Sequence, residues 1–221
     1  MEKYHKIETM FERDTEGKHQ LRYGVFRDET VEYLSHMDWE WTEKVDGTNV
    51  RVHWDGYHVE FGGRTDNAQM PVFLMEKLTQ IFKTPAAEEM FEQLFGEKDV
   101  ILFGEGYGNR IQKVGSCYIP DGVGFILFDV MIGGNYQPRD SVVKIAEAFS
   151  ISVVPIVGRG TLFDALRYVA THPTSIVAQK ECGMEGVVCR PMIELRDRCG
   201  KRVIVKIKWN DVKELIESDQ I

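Results

Sequence analysis

Apolar and polar positions alternate with period two over residues 39–45, 50–54 and 57–62, which predicts three strands. Asp55-Gly56, between the last two, is a hairpin-turn signal. From Pro71 the period lengthens: Val72, Met75, Leu78 and Phe82 recur at helical spacing behind a proline that suits a first helical turn. A second helix is predicted over 86–95, closed by Gly96. Strands return at 100–105 and 124–132, the latter dense in Phe, Ile and Val as a buried strand should be. Residues 141–149 and 162–170 read as amphipathic helices, the second entered through Thr161 as N-cap. Residues 185–190 and 202–208 are the last predicted strands, and 212–216 a short helix. Residues 1–38 show no period and read as polar and irregular, with an exposed loop over 12–18. Strands joined by hairpins and separated by helices, without regular βαβ alternation, predict an α+β fold on antiparallel sheet flanked by helices. No low-complexity tract or long linker interrupts the chain. A single domain over 1–221 is therefore expected, with 1–38 a peripheral N-terminal segment.

The 221 residues are 43% hydrophobic, ample for a core. A net charge of −8 argues against a broad basic surface for non-specific nucleic-acid binding. It leaves room for a local basic groove, since phosphate contacts need only a few well-placed Lys and Arg. No apolar run approaches the roughly 18–20 residues of a membrane span. The first residues lack the apolar core of a signal peptide, so the expectation is a cytoplasmic protein that does not engage a membrane. Cys117, Cys182, Cys189 and Cys199 form no C-x-x-C pair, and no His sits at zinc-finger spacing from them. They read as reduced structural thiols.

Within this pattern Lys44 leaves an apolar run and is followed by Val45-Asp46-Gly47-Thr48-Asn49. A lysine at a strand edge can be an amine nucleophile, although Asp-Gly beside a lysine is more often a plain turn. Other charges interrupt segments that should be buried. Glu105 follows Ile101-Leu102-Phe103-Gly104, Asp129 follows Phe125-Ile126-Leu127-Phe128, Glu185 precedes Gly186-Val187-Val188, and Lys206 and Lys208 flank Ile207. Single acids at strand ends are commonly solvated. Together these would build one polar pocket, with lysines to meet phosphates and carboxylates to hold a divalent metal.

The ordered set resembles the covalent nucleotidyltransferase superfamily of polynucleotide ligases and mRNA-capping enzymes. Its nucleophile motif is matched by Lys44-Val45-Asp46-Gly47-Thr48-Asn49, its arginine element by Gly62-Gly63-Arg64-Thr65, and its Gly-Glu strand end by Phe103-Gly104-Glu105-Gly106. Phe128-Asp129, Glu185-Gly186-Val187-Val188 and Lys206-Ile207-Lys208 match the rest, in order. Each motif alone is weak; the ordered series is specific. Asn49 closing the first motif is similar to the RNA ligase 2-like and editing-ligase branch. The segments 61–68 and 128–130 also resemble small RNA ligases of phages and bacteria, and residues 6–11 look like the start of those proteins. The 13 residues after Lys208 are too few for an OB-fold or a helical C-terminal domain. The resemblance therefore implies a nearly bare adenylation domain of the kind found in DNA ligases, with a helper protein or oligomer to clamp the polynucleotide. No module typical of NAD-dependent ligases is evident, which points to ATP.

The resemblance implies an ATP-dependent RNA ligase that joins 5′-phosphate and 3′-hydroxyl RNA ends through a lysyl-adenylate and an RNA-adenylate, in the manner of RNA repair. Lys44 would be the nucleophile. An amine must be neutral to attack, and the cations Lys206 and Lys208 would favour that form and neutralise phosphate charge. Glu105 and Glu185 would face the ribose and a Mg²⁺ or Mn²⁺ ion. Phe128 would stack on adenine, while its pattern alone fits a core phenylalanine equally. Glu43 would read the adenine amino group, Arg64 would contact a phosphate or the ribose, and Asn49 would bind nucleotide and the incoming RNA end. Lys113 could touch RNA or phosphate, though a solvated loop lysine is the commoner reading. A DNA-nick ligase, a capping-type transferase and a non-catalytic nucleotide- or RNA-binding relic are the alternatives.

Overall fold

The computed structural model describes residues 1–14, 16 and 19–221. In chain order the elements are β1 (Glu8–Thr9), β2 (Phe11–Arg13), β3 (Leu21–Phe26), α1 (Glu29–Leu34), β4 (Trp39–Glu43), β5 (Thr48–Trp54), β6 (Val59–Gly62), α2 (Val72–Phe82) and α3 (Pro85–Phe95). They continue with β7 (Val100–Gly108), α4 (Gly115–Tyr118), β8 (Val123–Ile132), β9 (Asn135–Tyr136), α5 (Arg139–Ala148), β10 (Ser152–Val153) and β11 (Ile156–Gly160). The last are α6 (Leu162–Ala170), β12 (Gly186–Pro191), β13 (Val205–Lys208) and α7 (Trp209–Glu217). The chain divides into two compact units. One comprises Met1–His5, Asp46–Val154 and Ala178–Lys180; the other comprises Lys6–Val45, Pro155–Val177 and Glu181–Ile221.

The second of these, which carries Lys44, holds a sheet of order β1-β13-β12-β4-β11 and a separate β2-β3 pair. Alternation decides which face is buried. Trp39 and Trp41 of β4, Val187 and Cys189 of β12, and Val205 and Ile207 of β13 all enter one core. Leu162, Ala165, Leu166 and Val169 cover that core from α6, and Val212 and Leu215 from α7. The predicted N-cap of α6 is present and reciprocal. Thr161 Oγ1 accepts from Asp164 N at 3.1 Å, and Asp164 Oδ2 accepts from Thr161 N at 2.9 Å.

Two expectations change in this unit. Residues 1–38 read as irregular, yet they contain β1, β2, β3 and α1, and bury Met10 and Phe11 in the core. Glu12 and Arg13 of the predicted loop lie in β2, while Thr15, Gly17 and Lys18 fall outside the described residues. Strand β11 was not expected either: it is short and glycine-containing, and gains its order by antiparallel pairing with β4.

The other unit holds a sheet of order β10-β8-β7-β5-β6, with β9 paired to β8. Val50, Val52 and Trp54 of β5 and Leu102, Leu127 and Val130 of β7 and β8 face α2, α3 and α5, where Leu78, Phe82, Phe91 and Val142 complete the core. A smaller cluster of Ile101, Phe103 and Met131, joined by Tyr4, Phe128 and Tyr136, contains the β7 residues of opposite phase. Phe103 pairs with Asp129 and Gly104 with Leu127, so Phe128 is the extra residue of a β-bulge. Most strand pairs are antiparallel, as predicted; β1 with β13 and β10 with β8 are parallel. The architecture is α+β, and among the described residues neither sheet closes into a barrel. No helix is long and apolar enough to cross a membrane among those residues.

Candidate active site

Strand β4 ends at Glu43, and Lys44 N still donates to Gly186 O at 2.9 Å. That bond continues the β4–β12 ladder by one residue and places Lys44 beside the start of β12. Lys44 Nζ donates to Glu185 Oε2 at 2.6 Å, with the two side chains 26% and 23% exposed. Gly186, next to Glu185, has φ +152°, and a Cβ there would collide with Ile207 O and come within 2.7 Å of Lys208 Cα. Only glycine lets β12 approach β13 this closely at the acid. The Glu-Gly pair is thus a backbone requirement as well as a chemical signature.

Register then explains the lysine pair. Val187 faces Glu43 and Ile207, Val188 faces Thr42 and Lys206, and Gly186 faces Lys208. Since Val205 and Ile207 point into the core, Lys206 and Lys208 lie on the opposite face. Lys44, bonded to Gly186, continues the row that contains Thr42 on that same face. The Lys206 ammonium is held below the usual lysine range, first by burial and then by repulsion from Lys44 and Lys208, with Glu8 opposing. Glu8, on β1, is itself held low: burial opposes this, but the Lys6 hydrogen bond and the charges of Arg27, Lys6 and Lys206 prevail. Residues 6–11, to which the sequence assigned no chemistry, thus bring a carboxylate to the lysine pair.

Glu43 lies on the other side of β4. It is buried, and its carboxylate fastens the chain at 175–177: Ser175 Oγ donates to Oε1, while Ile176 N and Val177 N donate to Oε2 at 2.9 and 3.3 Å. Burial pushes the carboxyl up, against the lowering effect of these bonds. The predicted adenine contact of Glu43 would compete with all three. Ser175 gave no sequence signal.

The remaining motif residues belong to the other unit. Val50 and Val52 enter the main core, so Asn49 and Arg51 take the opposite face of β5, where Asn49 pairs with Glu105 of β7. Among the described residues Asn49 Oδ1 is buried without a hydrogen-bond partner, which suits an acceptor for a ligand donor. Gly47 packs against Glu105: a Cβ would lie 2.7 Å from Glu105 Cγ and collide with Gly106 O. Two side chains missed in the sequence hold this turn. Tyr118 OH accepts from Asp46 N at 3.2 Å, and Gln112 Nε2 donates to Gly47 O at 2.9 Å. Lys113, adjacent to Gln112, is exposed, as is Arg64 in the loop after β6. Phe128 is half-buried, its ring edge-on to Tyr4 at 5.0 Å, and Tyr4 OH donates to buried Asp129 at 2.8 Å.

A family model described as RNA ligase matches residues 37–208. The chain belongs to the RNA ligase family. Three solved structures of a Naegleria gruberi RNA ligase resemble it. A mutant with ATP and manganese is 19% identical, with a TM-score of 0.61 over 87% of this chain and 54% of that one. Another mutant, with AMP and manganese, is 20% identical, with a TM-score of 0.62 over 87% and 55%. The protein with pyrophosphate is 21% identical, with a TM-score of 0.61 over 87% and 55%. The present chain spans about half the length of these structures. No curated protein matches it.

For a member of the RNA ligase family, the donor set bears on the expected metal. Among the described residues no group of three or more His, Cys, Asp or Glu side chains is assembled to hold an ion. A hard cation that keeps its waters and arrives with phosphates needs only one or two carboxylates. Glu185, beside Lys44 in one unit, and Glu105, beside Asn49 in the other, are each a single carboxylate of that kind.

Proposed function

We propose that this chain is the nucleotidyltransferase domain of an ATP-dependent RNA ligase, with both compact units serving one function. The observation that carries this reading is the Lys44–Glu185 contact on the sheet face that also bears Lys206 and Lys208. Lys44 must give up its proton before its nitrogen can attack, and the Glu185 carboxylate is within reach to receive it. The amine then attacks the α-phosphorus of ATP; a P–N bond forms, the α–β phosphoanhydride bond breaks, and pyrophosphate leaves. Lys206 and Lys208 neutralise phosphate charge as it develops. Depressed by burial and by its neighbours, Lys206 regains favourable interactions when an anion arrives.

AMP next passes to the 5′-phosphate of an RNA end, which breaks the P–N bond and frees Lys44. The 3′-hydroxyl of a second end then attacks that phosphate and expels AMP. Mg²⁺ or Mn²⁺ would supply further charge neutralisation at the phosphates, with Glu185 in one unit and Glu105 in the other as its candidate carboxylates. Asn49 offers Oδ1, unpaired among the described residues, to nucleotide or to the RNA end, and Arg64 and Lys113 offer exposed cations. Phe128 supplies a ring for adenine, and Glu43 positions the strand from which Lys44 emerges. The setting is cytoplasmic RNA repair.

The test is end joining. Purified chain with ATP and Mg²⁺ is given a nicked RNA duplex, single-stranded RNA with 5′-phosphate and 3′-hydroxyl ends, and a nicked DNA duplex. Joined RNA that Lys44→Ala fails to produce supports the reading. Sealing of nicked DNA in preference to both RNAs would overturn it.

A further inference from the structure

Arg51 belongs to none of the motifs, yet it is among the most completely buried side chains of the protein, at 1% exposed. A buried guanidinium is tolerable only when its donors are satisfied, and here they are spent on two segments. Nε donates to Gly63 O at 2.7 Å and Nη2 to Asp66 Oδ1 at 3.0 Å. Nη1 donates to Met1 O at 3.0 Å and Glu2 O at 3.2 Å. Lys3 Nζ pairs with the other oxygen of Asp66 at 3.0 Å. The two sites held in the loop, Gly63 and Asp66, bracket Arg64.

The Gly-Gly preceding Arg64 fits the same arrangement. A Cβ on Gly62 would come within 3.0 Å of Arg51 Nη2 and 3.1 Å of Met1 Sδ, and one on Gly63 within 2.8 Å of Ala68 Cβ. The loop therefore lies flat on the guanidinium and folds tightly back on itself. Residues 1–5 complete the clasp, since Tyr4 donates to Asp129 and packs on Phe128.

We propose that Arg51 is a positioning residue for Arg64: by gripping the loop on both sides of it, Arg51 fixes where that exposed cation stands for a phosphate or ribose. The inference rests on the role given to Arg64 in the proposed function. It gives residues 1–5 a task as well, because the carbonyls of Met1 and Glu2 accept from Nη1 of the guanidinium that holds the loop. Lysine cannot replace arginine here, since its donors radiate from one point and cannot reach both segments.

The experiment uses the full chain and two readouts. Asp66, 62% exposed at its side chain, can be changed to Ala with the carbonyls of Met1, Glu2 and Gly63 still accepting from the Arg51 guanidinium, which loses its paired carboxylate. Asp66→Ala and Arg51→Lys are each made in wild-type and Arg64→Ala backgrounds. Amide hydrogen exchange at 62–67 reports the clasp itself, and AMP uptake against ATP concentration reports the function. The clasp predicts faster exchange at 62–67 with β5 and β7 still protected. It also predicts about a tenfold loss of kcat/KM in the wild-type background, and less than about twofold once Arg64 is absent, because coupled residues are not additive. Unchanged exchange in both variants, or equal losses with and without Arg64, would overturn the proposal. A wild type that takes up no AMP while the exchange pattern holds would instead sink the functional reading, and the role of Arg51 with it.

Discussion

Lys44 Nζ and Glu185 Oε2 lie 2.6 Å apart, so the residue assigned as nucleophile is paired to a carboxylate. Glu185→Gln keeps the shape and removes the proton acceptor. Lysyl-AMP formation should fall by about 100-fold or more, in the range of a lost acid–base group. Thermal stability should change little, since an ion pair this exposed contributes at most about 1 kcal/mol. Stopped-time adenylylation and a melting curve check both. A variant with full activity would reduce the pair to a surface ion pair.

Gly186→Ala tests the backbone beneath that pair. At φ +152°, with Ile207 O in the way, an alanine must push β12 from β13. A loss of at least about 1–3 kcal/mol in urea denaturation is expected from the backbone strain alone. Native stability in this variant would refute the close approach.

Lys206 carries a pH signature. Its folded pKa lies below the ordinary lysine value of 10.5. The unfolded chain therefore binds more protons between the two values, and this group makes stability rise with pH through that window. Lys206→Met should flatten the rise and be no less stable at pH 7, while losing adenylylation. Parallel slopes for the two proteins would contradict the burial argument.

Glu43 runs the other way. Its folded pKa is raised, so the native state holds the proton more tightly and this group's contribution falls as pH climbs above 4.5. Glu43→Gln keeps an acceptor for Ile176 N and Val177 N, and should remove that dependence without unfolding the protein. Glu43→Ala leaves both donors unmet, at a cost of about 1–3 kcal/mol. Denaturant midpoints across the acidic range separate the two.

How far the sequence spoke depended on whether the partners were local. Trp39 and Trp41 announced β4 by alternation, and 162–170 was read with the bounds that α6 adopts, because cap and apolar stripe lie within one segment. Strand β1 was silent: two residues show no period, and its partner β13 lies near the other end of the chain. Lys44, Glu185, Lys206 and Lys208 could be ordered from motifs and then grouped by register. The unit boundary that falls after Val45, inside the nucleophile motif, had no trace in composition. Arg51 went unremarked within its alternating strand, because nothing in Val50-Arg51-Val52 tells that the carbonyls of Met1 and Glu2 will cover it. Tyr118, Gln112 and Ser175 likewise act from loops, where no period marks a side chain that reaches across.

The central claim is that Lys44 forms a covalent bond to AMP. Incubation with ATP and Mg²⁺ followed by intact-mass measurement tests it directly. The account predicts that wild type gains one AMP, that pyrophosphate reverses the gain, and that Lys44→Ala stays unmodified. An unmodified wild type, or AMP retained by Lys44→Ala, would contradict it.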